Sequence, residues 1–420
     1  MRLLISFIAL FLSIFLLQLS SGAVGPLDAI SGLSQGFTRA EVGLLGSAHF
    51  VGFFVGCWWA PRLLGTVGYS RTFAAFTALG AIGLLAHMLV VDARAWALMR
   101  VASGVCVAGC YTVIEAWLHA KVTNETRGRA TGVYRVVDIS GALVAQLMVG
   151  VLPPASYAAY NILAILCCAS LIPLTLTRLK QPETPSAPRL HPSLAFRLSP
   201  LAAFAVMIAG MTSGAFRMVG PIYGNEIGLD AQGIGYFLAG FVLGGAIAQY
   251  PAGWLADKFD RRWILIWLSS AAVASCALTI TAGTARPDLA VVFAAVFGLT
   301  TFPIFSVAAA HAHDFATSDQ RVELSAALMF CFAMGAIASP IVTSTLIEWY
   351  GAAALFVFIS VFHLVLVVFG IVRMLARPSK EARTPYVYVP RTSFIVGRLL
   401  RRQRDARIVG PAARQQREDT

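Results

Sequence analysis

Gly253-Trp254-Leu255-Ala256-Asp257-Lys258-Phe259-Asp260-Arg261-Arg262 is a short, charge-dense stretch with a long apolar run on either side. Each run is long enough to cross a bilayer as a helix. The charged side chains must lie at the membrane surface, because burying them in hydrocarbon is costly. Gly253 and the small Ala256 let the flanking helices approach each other closely. The stretch therefore predicts a tight turn between two membrane helices, with no room for a soluble domain.

The composition extends this interpretation to the whole chain. Hydrophobic residues make up 58% of the 420 residues, charged residues make up 12%, and the mean hydropathy is +0.75. A soluble domain carries roughly twice that share of charge. The net charge of +12 could suggest a nucleic-acid partner, but most of it lies in short connectors and near the C-terminus. This placement is typical of loops that face anionic lipid, so we expect a lipid bilayer and no nucleic acid.

Twelve apolar segments of membrane-spanning length follow one another along the chain. The first is longer than the apolar part of a secretory signal, which favours an uncleaved helix. Lysine and arginine are concentrated in one set of alternate loops, and this asymmetry predicts that both termini are cytoplasmic. The predicted spans are 3–25, 41–64, 71–91, 95–119, 130–152, 157–177, 199–224, 231–255, 262–282, 287–311, 322–347 and 352–376.

The chain also repeats itself at an offset of 192 to 195 residues. Val24-Gly25-Pro26-Leu27 at the end of the first span recurs as Val219-Gly220-Pro221-Ile222 at the end of the seventh. A nearly constant offset through several spans predicts two six-helix halves, 1–177 and 199–376, with a proline-rich linker, 178–198, and a basic tail, 377–420. The other matching pairs are Gly43 and Gly235, Gly52 and Gly244, Gly104 and Gly298, Arg127 and Arg321, and Gly141 and Gly335.

The pattern G-x-L-A-D-K-x-[DG]-R-R in 253–262 resembles the signature loop of the major facilitator superfamily (MFS), with Asp260 where that family usually has glycine. The resemblance implies an all-α membrane protein with the MFS fold, two six-helix bundles related by a pseudo-twofold axis. It also implies a monomeric secondary transporter of the bacterial inner membrane that moves a small solute by alternating access. The ends of the fourth and tenth spans, 115–118 and 310–314, further resemble the bacterial YcaD-like branch.

In this resemblance, the signature-loop arginine binds an acid at the end of the fourth helix of the same half. Arg261 or Arg262 with Asp314 fits that role, and Asp257 would then face the start of the fifth helix near 127–129. We expect these residues, together with Gly253, to form a gate that closes the cytoplasmic side.

The matching loop of the first half, 61–71, is degenerate, because Gly65 stands in place of the aspartate. This departure leaves the latch of the first half in doubt. Arg71 could still meet Glu115 at the end of the fourth span.

Arg135 and Asp138 lie three residues apart, on one face of the fifth span and inside the membrane. Because charge in hydrocarbon is expensive, they must face each other, the bundle interior, or Glu115 and Arg100. We predict that Asp138 is a protonation site, with Arg135 as its counter-ion or as an anchor for an anionic substrate. A structural ion pair between the fourth and fifth helices is the alternative.

Three further residues within the spans are candidates for the same cavity. Arg100-Val101-Ala102-Ser103-Gly104 resembles the R-x-x-x-G element of many proton-coupled MFS members, although a structural role is equally open. Arg217 could receive an anion or pair with Glu226 or Glu348. His49 could carry protons near neutral pH, or could be a hydrogen-bonded core histidine.

Together, these residues predict a secondary transporter of a small organic solute. Asp138, Arg135 and Arg100 favour proton coupling, with uniport or sodium coupling as alternatives. No G-x-x-x-x-G-K-[ST] loop is present in the sequence, which disfavours an ATP-driven pump. No cofactor or metal site is expected, since the seven cysteines all fall inside apolar runs. A transporter-like sensor or scaffold without flux is a second hypothesis, and a membrane-embedded enzyme is a third that no catalytic motif supports.

Overall fold

Helices account for nearly all of the computed structural model, which describes residues 2–122, 124–177, 191–283, 286, 289–317 and 320–376. These residues form fourteen helices and no strand. Most of the predicted linker and the whole predicted tail, 377–420, lie outside the described residues. The helices are α1 (Arg2–Ser34), α2 (Arg39–Val67), α3 (Tyr69–Ala86), α4 (Ala93–Lys121), α5 (Asn124–Met148), α6 (Tyr157–Ala169), α7 (Leu171–Leu176), α8 (Ser193–Leu198), α9 (Pro200–Glu226), α10 (Ala231–Lys258), α11 (Arg261–Gly283), α12 (Ala290–His313), α13 (Arg321–Tyr350) and α14 (Ala354–Ala376).

The helices make twelve membrane crossings, as the sequence predicts. Eleven are long and apolar enough to span a bilayer by composition alone, with α6 and α7 counted as one crossing. The remaining crossing is α5, whose apolar character is interrupted by Arg129, Arg135 and Asp138. Because α5 packs against α1 and α10 inside the bundle, Arg135 and Asp138 are placed in the protein interior rather than in lipid, whereas Arg129 near the start of the helix is exposed.

One predicted helix boundary is wrong, and one crossing is interrupted, each for a physical reason. The first helix continues through Pro26 to Ser34 instead of ending at residue 25, because packed neighbours can compensate for the hydrogen bond that proline removes. The sixth crossing breaks at Ser170, three residues before Pro173. That break is expected, because a proline ring clashes with the carbonyl group of the preceding helical turn.

The two halves repeat the same helix packing. In the first half α2 crosses α4, and in the second half α10 crosses α12. A side chain on Gly52 would overlap the backbone of Val101, and one on Gly104 would overlap the backbone of His49. These glycines therefore let the α2 and α4 backbones come into direct contact.

The equivalent glycines do the same in the second half. A side chain on Gly244 would overlap the backbone of Ala295, and one on Gly298 would overlap that of Phe241. The repeated glycines of the sequence are therefore the close-approach points of both bundles.

The halves meet each other through α1 with α9, α2 with α13, and α5 with α10. The last two pairs are equivalent under the pseudo-twofold relation.

We call the end of the bundle that carries 253–262 the signature end, and the other the opposite end. At the opposite end, Arg39 of α2 forms an ion pair with Glu226 of α9 at 2.5 Å. The Ala40 amide beside it donates to the Glu348 carboxylate of α13 at 3.2 Å, so charged contacts join the two halves there.

We predict that Gly52→Ala lowers the melting temperature of the purified protein, because the added methyl group forces α2 and α4 apart. Overpacking of this kind costs about 1–3 kcal/mol. Gly65→Ala is the matched control in the same helix, since nothing lies within 4 Å of a Cβ at Gly65. Thermal unfolding followed by tryptophan fluorescence measures both. Equal melting temperatures for the two variants would contradict the close-packing role of Gly52.

Candidate functional site

A cavity of about 190 Å³ lies between the two halves near the middle of the bundle. Four of the predicted cavity residues line it, namely Asp138, Arg135, Arg217 and His49. Glu115 and Arg100, which were expected there as well, are fully buried behind its first-half wall. The cavity is therefore bordered by a charged pair on α5 and by a single arginine on α9.

Asp138 is held by Arg135 of its own helix and by Tyr111 of α4, which links it to α1. Its Oδ2 atom lies 3.3 Å from Nη1 of Arg135, one turn earlier on α5. Its Oδ1 atom lies 2.6 Å from the Tyr111 hydroxyl of α4, which is also 2.8 Å from Oε1 of Gln18 on α1. The α1 and α5 helices come this close beside Gly141, where a Cβ would lie 3.0 Å from that of Gln18. The Asp138 side chain keeps 16% exposure and that of Arg135 keeps 13%, so both are reachable from the cavity.

Glu115 completes the charged group from behind. Its side chain is fully buried, its Oε1 atom accepts a hydrogen bond from Tyr134 at 3.0 Å, and it lies 3.5 Å from Nη2 of Arg135. One guanidinium group is thus placed between two carboxylates. With both acids ionised, Glu115, Arg135 and Asp138 together carry one negative charge, which a single proton neutralises. An excess charge in a low-dielectric interior is unfavourable, so this trio favours a compensating positive charge, either a proton or Arg217, which lines the same cavity.

The hydrogen bonds around Tyr111 accommodate Asp138 with or without a proton. A phenol carries one hydrogen, but the Tyr111 hydroxyl is within bonding distance of two acceptor oxygens. When Asp138 is ionised, Tyr111 can donate to it. When Asp138 carries a proton, it can donate to Tyr111, which then donates to Gln18.

Arg100 belongs to a second charged cluster, so its expected place beside Asp138 is wrong. Its Nε atom lies 3.4 Å from Oδ2 of Asp28 on α1. The Tyr160 hydroxyl donates to the other oxygen of Asp28 at 2.8 Å, and His87 lies 3.4 Å from Oδ2. The His87 ring also stacks on Tyr160 at 4.9 Å. All four side chains are buried, and the cluster joins α1, α4 and α6.

The sequence analysis missed Asp28 because it ended the first helix at residue 25. With that end, Asp28 fell in the connection to the second span. The available signal was the apolar residues on both sides of it, Leu27, Ala29, Ile30 and Leu33, which continue the helical pattern. His87 was missed because nothing in its own segment marks it as the partner of an acid on another helix.

His49 and Arg217 face the cavity from different halves. His49 lies 3.3 Å from the Ser103 hydroxyl, a contact between α2 and α4. For Arg217 the sequence left two roles open, receiving an anion or pairing with Glu226 or Glu348. Both acids lie at the opposite end of the bundle, where they bind α2 through Arg39 and the adjacent amide. Arg217 lies deeper, in the second-half wall of the cavity.

The signature loop is ordered by a buried arginine. Arg261 donates to Asp314 at 2.7 Å and to the Ala310 carbonyl at 3.0 Å, and its side chain is only 1% exposed. Arg261 therefore holds the signature loop against the end of α12. Of the two candidate partners of Asp314, the structure selects Arg261.

The neighbouring Arg262 has a different role. It pairs with Asp260 at 2.8 Å, and Asp260 also accepts the backbone amide of Arg262 at 3.0 Å. Asp260 thus caps the N-terminus of α11, which explains why an aspartate fits where the family usually has glycine.

The remaining latch residues lie as follows. Gly253 is buried in α10, and Asp257 contacts Arg261 of its own half at 3.3 Å. Asp257 was expected to face α5 near residues 127–129. Of the side chains there, the structure describes only that of residue 129. The expected contact between Arg71 and Glu115 is wrong, because Arg71 is exposed on α3 whereas Glu115 is buried against Tyr134 and Arg135. No group of three or more potential metal ligands is found among the described residues.

We predict that Asp28→Asn destabilises the protein, because it leaves Arg100 buried without its carboxylate. Removing one partner of a buried ion pair costs about 3–5 kcal/mol. Asp92→Asn is the control, since Asp92 is an exposed cap of α4 and asparagine caps helices equally well. Melting temperatures in detergent provide the measurement. The double variant Asp28→Asn/Arg100→Gln should recover part of the loss, and an Asp28→Asn variant as stable as Asp92→Asn would refute the pairing.

A family model and individual relatives both match this chain. The family model described as the Major Facilitator Superfamily matches residues 10–201 and again residues 202–408. The uncharacterized MFS-type transporter YcaD of Escherichia fergusonii is 26% identical over 351 residues, which is 83% of this chain and 89% of that protein.

Two solved structures have a similar fold. A variant of the nucleoside transporter NupG superimposes with a TM-score of 0.75 at 14% identity, covering 87% of this chain and 99% of that one. A bacterial homologue of the human lysosomal transporter Spinster, in an inward-facing and occupied conformation, gives a TM-score of 0.74 at 16% identity. It covers 90% of this chain and 99% of that one. At these identities the likeness establishes the fold.

Proposed function

The chain belongs to the major facilitator superfamily of membrane transporters, and on that premise we propose that it couples the movement of a small organic solute to that of protons. The superfamily consists of transporters rather than enzymes, which excludes the membrane-embedded enzyme. The YcaD relative is bacterial, so we assign the protein to the bacterial inner membrane. The cavity is complete within one chain, and we therefore propose a monomer as the transporting unit.

One observation carries the proposal, namely the position of Asp138. Its carboxylate borders the central cavity, and its partners are Arg135 at 3.3 Å and Tyr111 at 2.6 Å. Arg217 and His49 line the same cavity from other helices. A scaffold or sensor without flux gains nothing from an acid kept at this depth, whereas a proton carrier needs one.

The charge balance suggests how protonation is coupled to movement. Ionised Asp138 holds Arg135 on the cavity side, while Glu115 attracts the same guanidinium from behind. A proton on Asp138 weakens its attraction for Arg135 and leaves Glu115 as the stronger partner. The position of Arg135 in the cavity wall then depends on the protonation of Asp138, which links proton binding to the shape of the site.

The closed opposite end suggests which side the cavity faces. Contacts of Arg39 with Glu226 and of Ala40 with Glu348 join the halves there. With both termini on the cytoplasmic side, as the basic loops predict, the opposite end is extracellular and this conformation faces inward. We propose that Asp257, whose side chain is 49% exposed at the signature end, meets α5 when the protein turns outward.

We predict that Asp138→Asn abolishes solute uptake driven by a pH gradient but preserves counterflow exchange, because asparagine cannot carry the proton. The assay uses proteoliposomes and a solute that stabilises the purified protein in a metabolite screen. Asp92→Asn is the matched control, since its carboxylate lies on the surface at the start of α4. Persistent pH-driven uptake in Asp138→Asn would show that the proton binds elsewhere.

A further inference from the structure

The cavity has two chemically unlike walls. On the first-half wall, the side chains can form several hydrogen bonds, and they include both members of the Arg135–Asp138 pair. Other polar groups on this wall are Gln18, Ser21, His49, Tyr111 and Gln146. The second-half wall is mainly apolar, and among its described lining residues Arg217 provides the charge.

Aromatic rings form much of the apolar wall, and other aromatic rings pack against them. Phe241 stacks on Phe216 at 4.2 Å and meets Phe302 edge-to-face at 5.2 Å. Phe332 is backed by Phe305 at 5.5 Å. Rings held by other rings cannot collapse into the cavity, and their faces suit a flat apolar or aromatic body.

The charges around the cavity favour an anion once a proton is bound. Arg135 and Arg217 are positive, Asp138 is negative, and Glu115 balances Arg135 from behind at 3.5 Å. When both acids are ionised, these four charges cancel. When Asp138 carries a proton, one positive charge remains in excess. A monoanion restores neutrality, whereas a cation adds to the imbalance.

The volume sets the size of the solute. An apolar cavity of about 150 Å³ accepts benzene. The cavity of about 190 Å³ therefore has room for one ring, or an apolar group of that size, with a small acidic head.

We propose that the substrate is a small organic monoanion with an aromatic or compact apolar body, such as an aromatic carboxylate, carried together with one proton. This inference rests on the proposed function, because the excess positive charge depends on protonation of Asp138. Arg217 binds the anionic head, and Phe241, Phe302 and Phe332 contact the body. The guanidinium is suited to this role, since it presents a planar fork that matches carboxylate and sulfonate oxygens.

Equilibrium binding to the full-length purified protein in detergent tests the proposal. The main probe is benzenesulfonate, which stays ionised across the working range, so any change with pH reports the protein. Methanesulfonate keeps the acidic head without the ring, and benzyltrimethylammonium keeps the ring with the opposite charge. We expect saturable benzenesulfonate binding that strengthens as the pH falls, weaker methanesulfonate binding, and no binding of the cation.

Two substitutions of Arg217, with one control, test whether it binds the anionic head group. Arg217→Gln should weaken benzenesulfonate binding by about tenfold or more, as expected for loss of a charged hydrogen-bond donor. Arg94→Gln, at an exposed arginine at the start of α4, should leave binding unchanged. Arg217→Lys keeps the charge and should retain more binding than Arg217→Gln, which separates loss of charge from loss of fold. Melting temperatures of all three variants provide the folding control.

The outcomes distinguish the substrate class from the coupling. Preferential binding of benzyltrimethylammonium, absence of saturable benzenesulfonate binding, or full binding by Arg217→Gln would each overturn the substrate class, even if Asp138 still drives transport of another solute. Conversely, benzenesulfonate binding that depends on Arg217 but does not change with pH would support the anion site. It would contradict the role of Asp138 as the group that takes up the proton. Asp138→Asn should retain benzenesulfonate binding and lose its pH dependence.

Discussion

The guanidinium group of Arg135, placed between Glu115 and Asp138, is the interaction on which the rest of the structure depends. A charge in the membrane interior must be compensated within the protein, because lipid cannot solvate it. This requirement directs α5, the least apolar crossing, into the bundle against α1 and α10. The same requirement places the cavity where the two halves meet, since only there can partly exposed charges reach water.

The other buried charges follow the same rule at different depths. Asp28 and Arg100 join helices of the first half, and Arg261 and Asp314 fix the signature loop of the second. The halves share a helix arrangement and the glycines that permit it, but the charged residues of the cavity are not repeated. The first half contributes the groups that can exchange a proton, and the second contributes an aromatic wall with Arg217. A duplicated fold has thus been given two different chemical roles.

The sequence predicted those features whose pattern lies within a short stretch of the chain. The twelve crossings, the family and the repeated glycines could be predicted, because span length, the signature loop and small-residue spacing are local properties. The partner of Arg100 and the position of Arg217 could not be predicted, because they depend on packing between helices far apart in the chain. Asp28 was missed because the predicted first span ended at residue 25.

The choice between the adjacent residues Arg261 and Arg262 shows the same limit of prediction from sequence. Adjacent residues on a helix point in different directions, so sequence alone left both as partners of Asp314. Packing decides between them, because Arg261 is the one that contacts the Ala310 carbonyl and the Asp314 carboxylate at the end of α12. Asp260 supports this arrangement by pairing with Arg262.

Infrared difference spectroscopy of the purified protein during a pH titration would test most directly the claim that Asp138 takes up the proton. The carbonyl stretch of a protonated carboxyl group should appear as the pH falls, disappear in Asp138→Asn, and persist in Asp92→Asn. The same band in wild type and Asp138→Asn would contradict the account, because the proton would then bind to another acid.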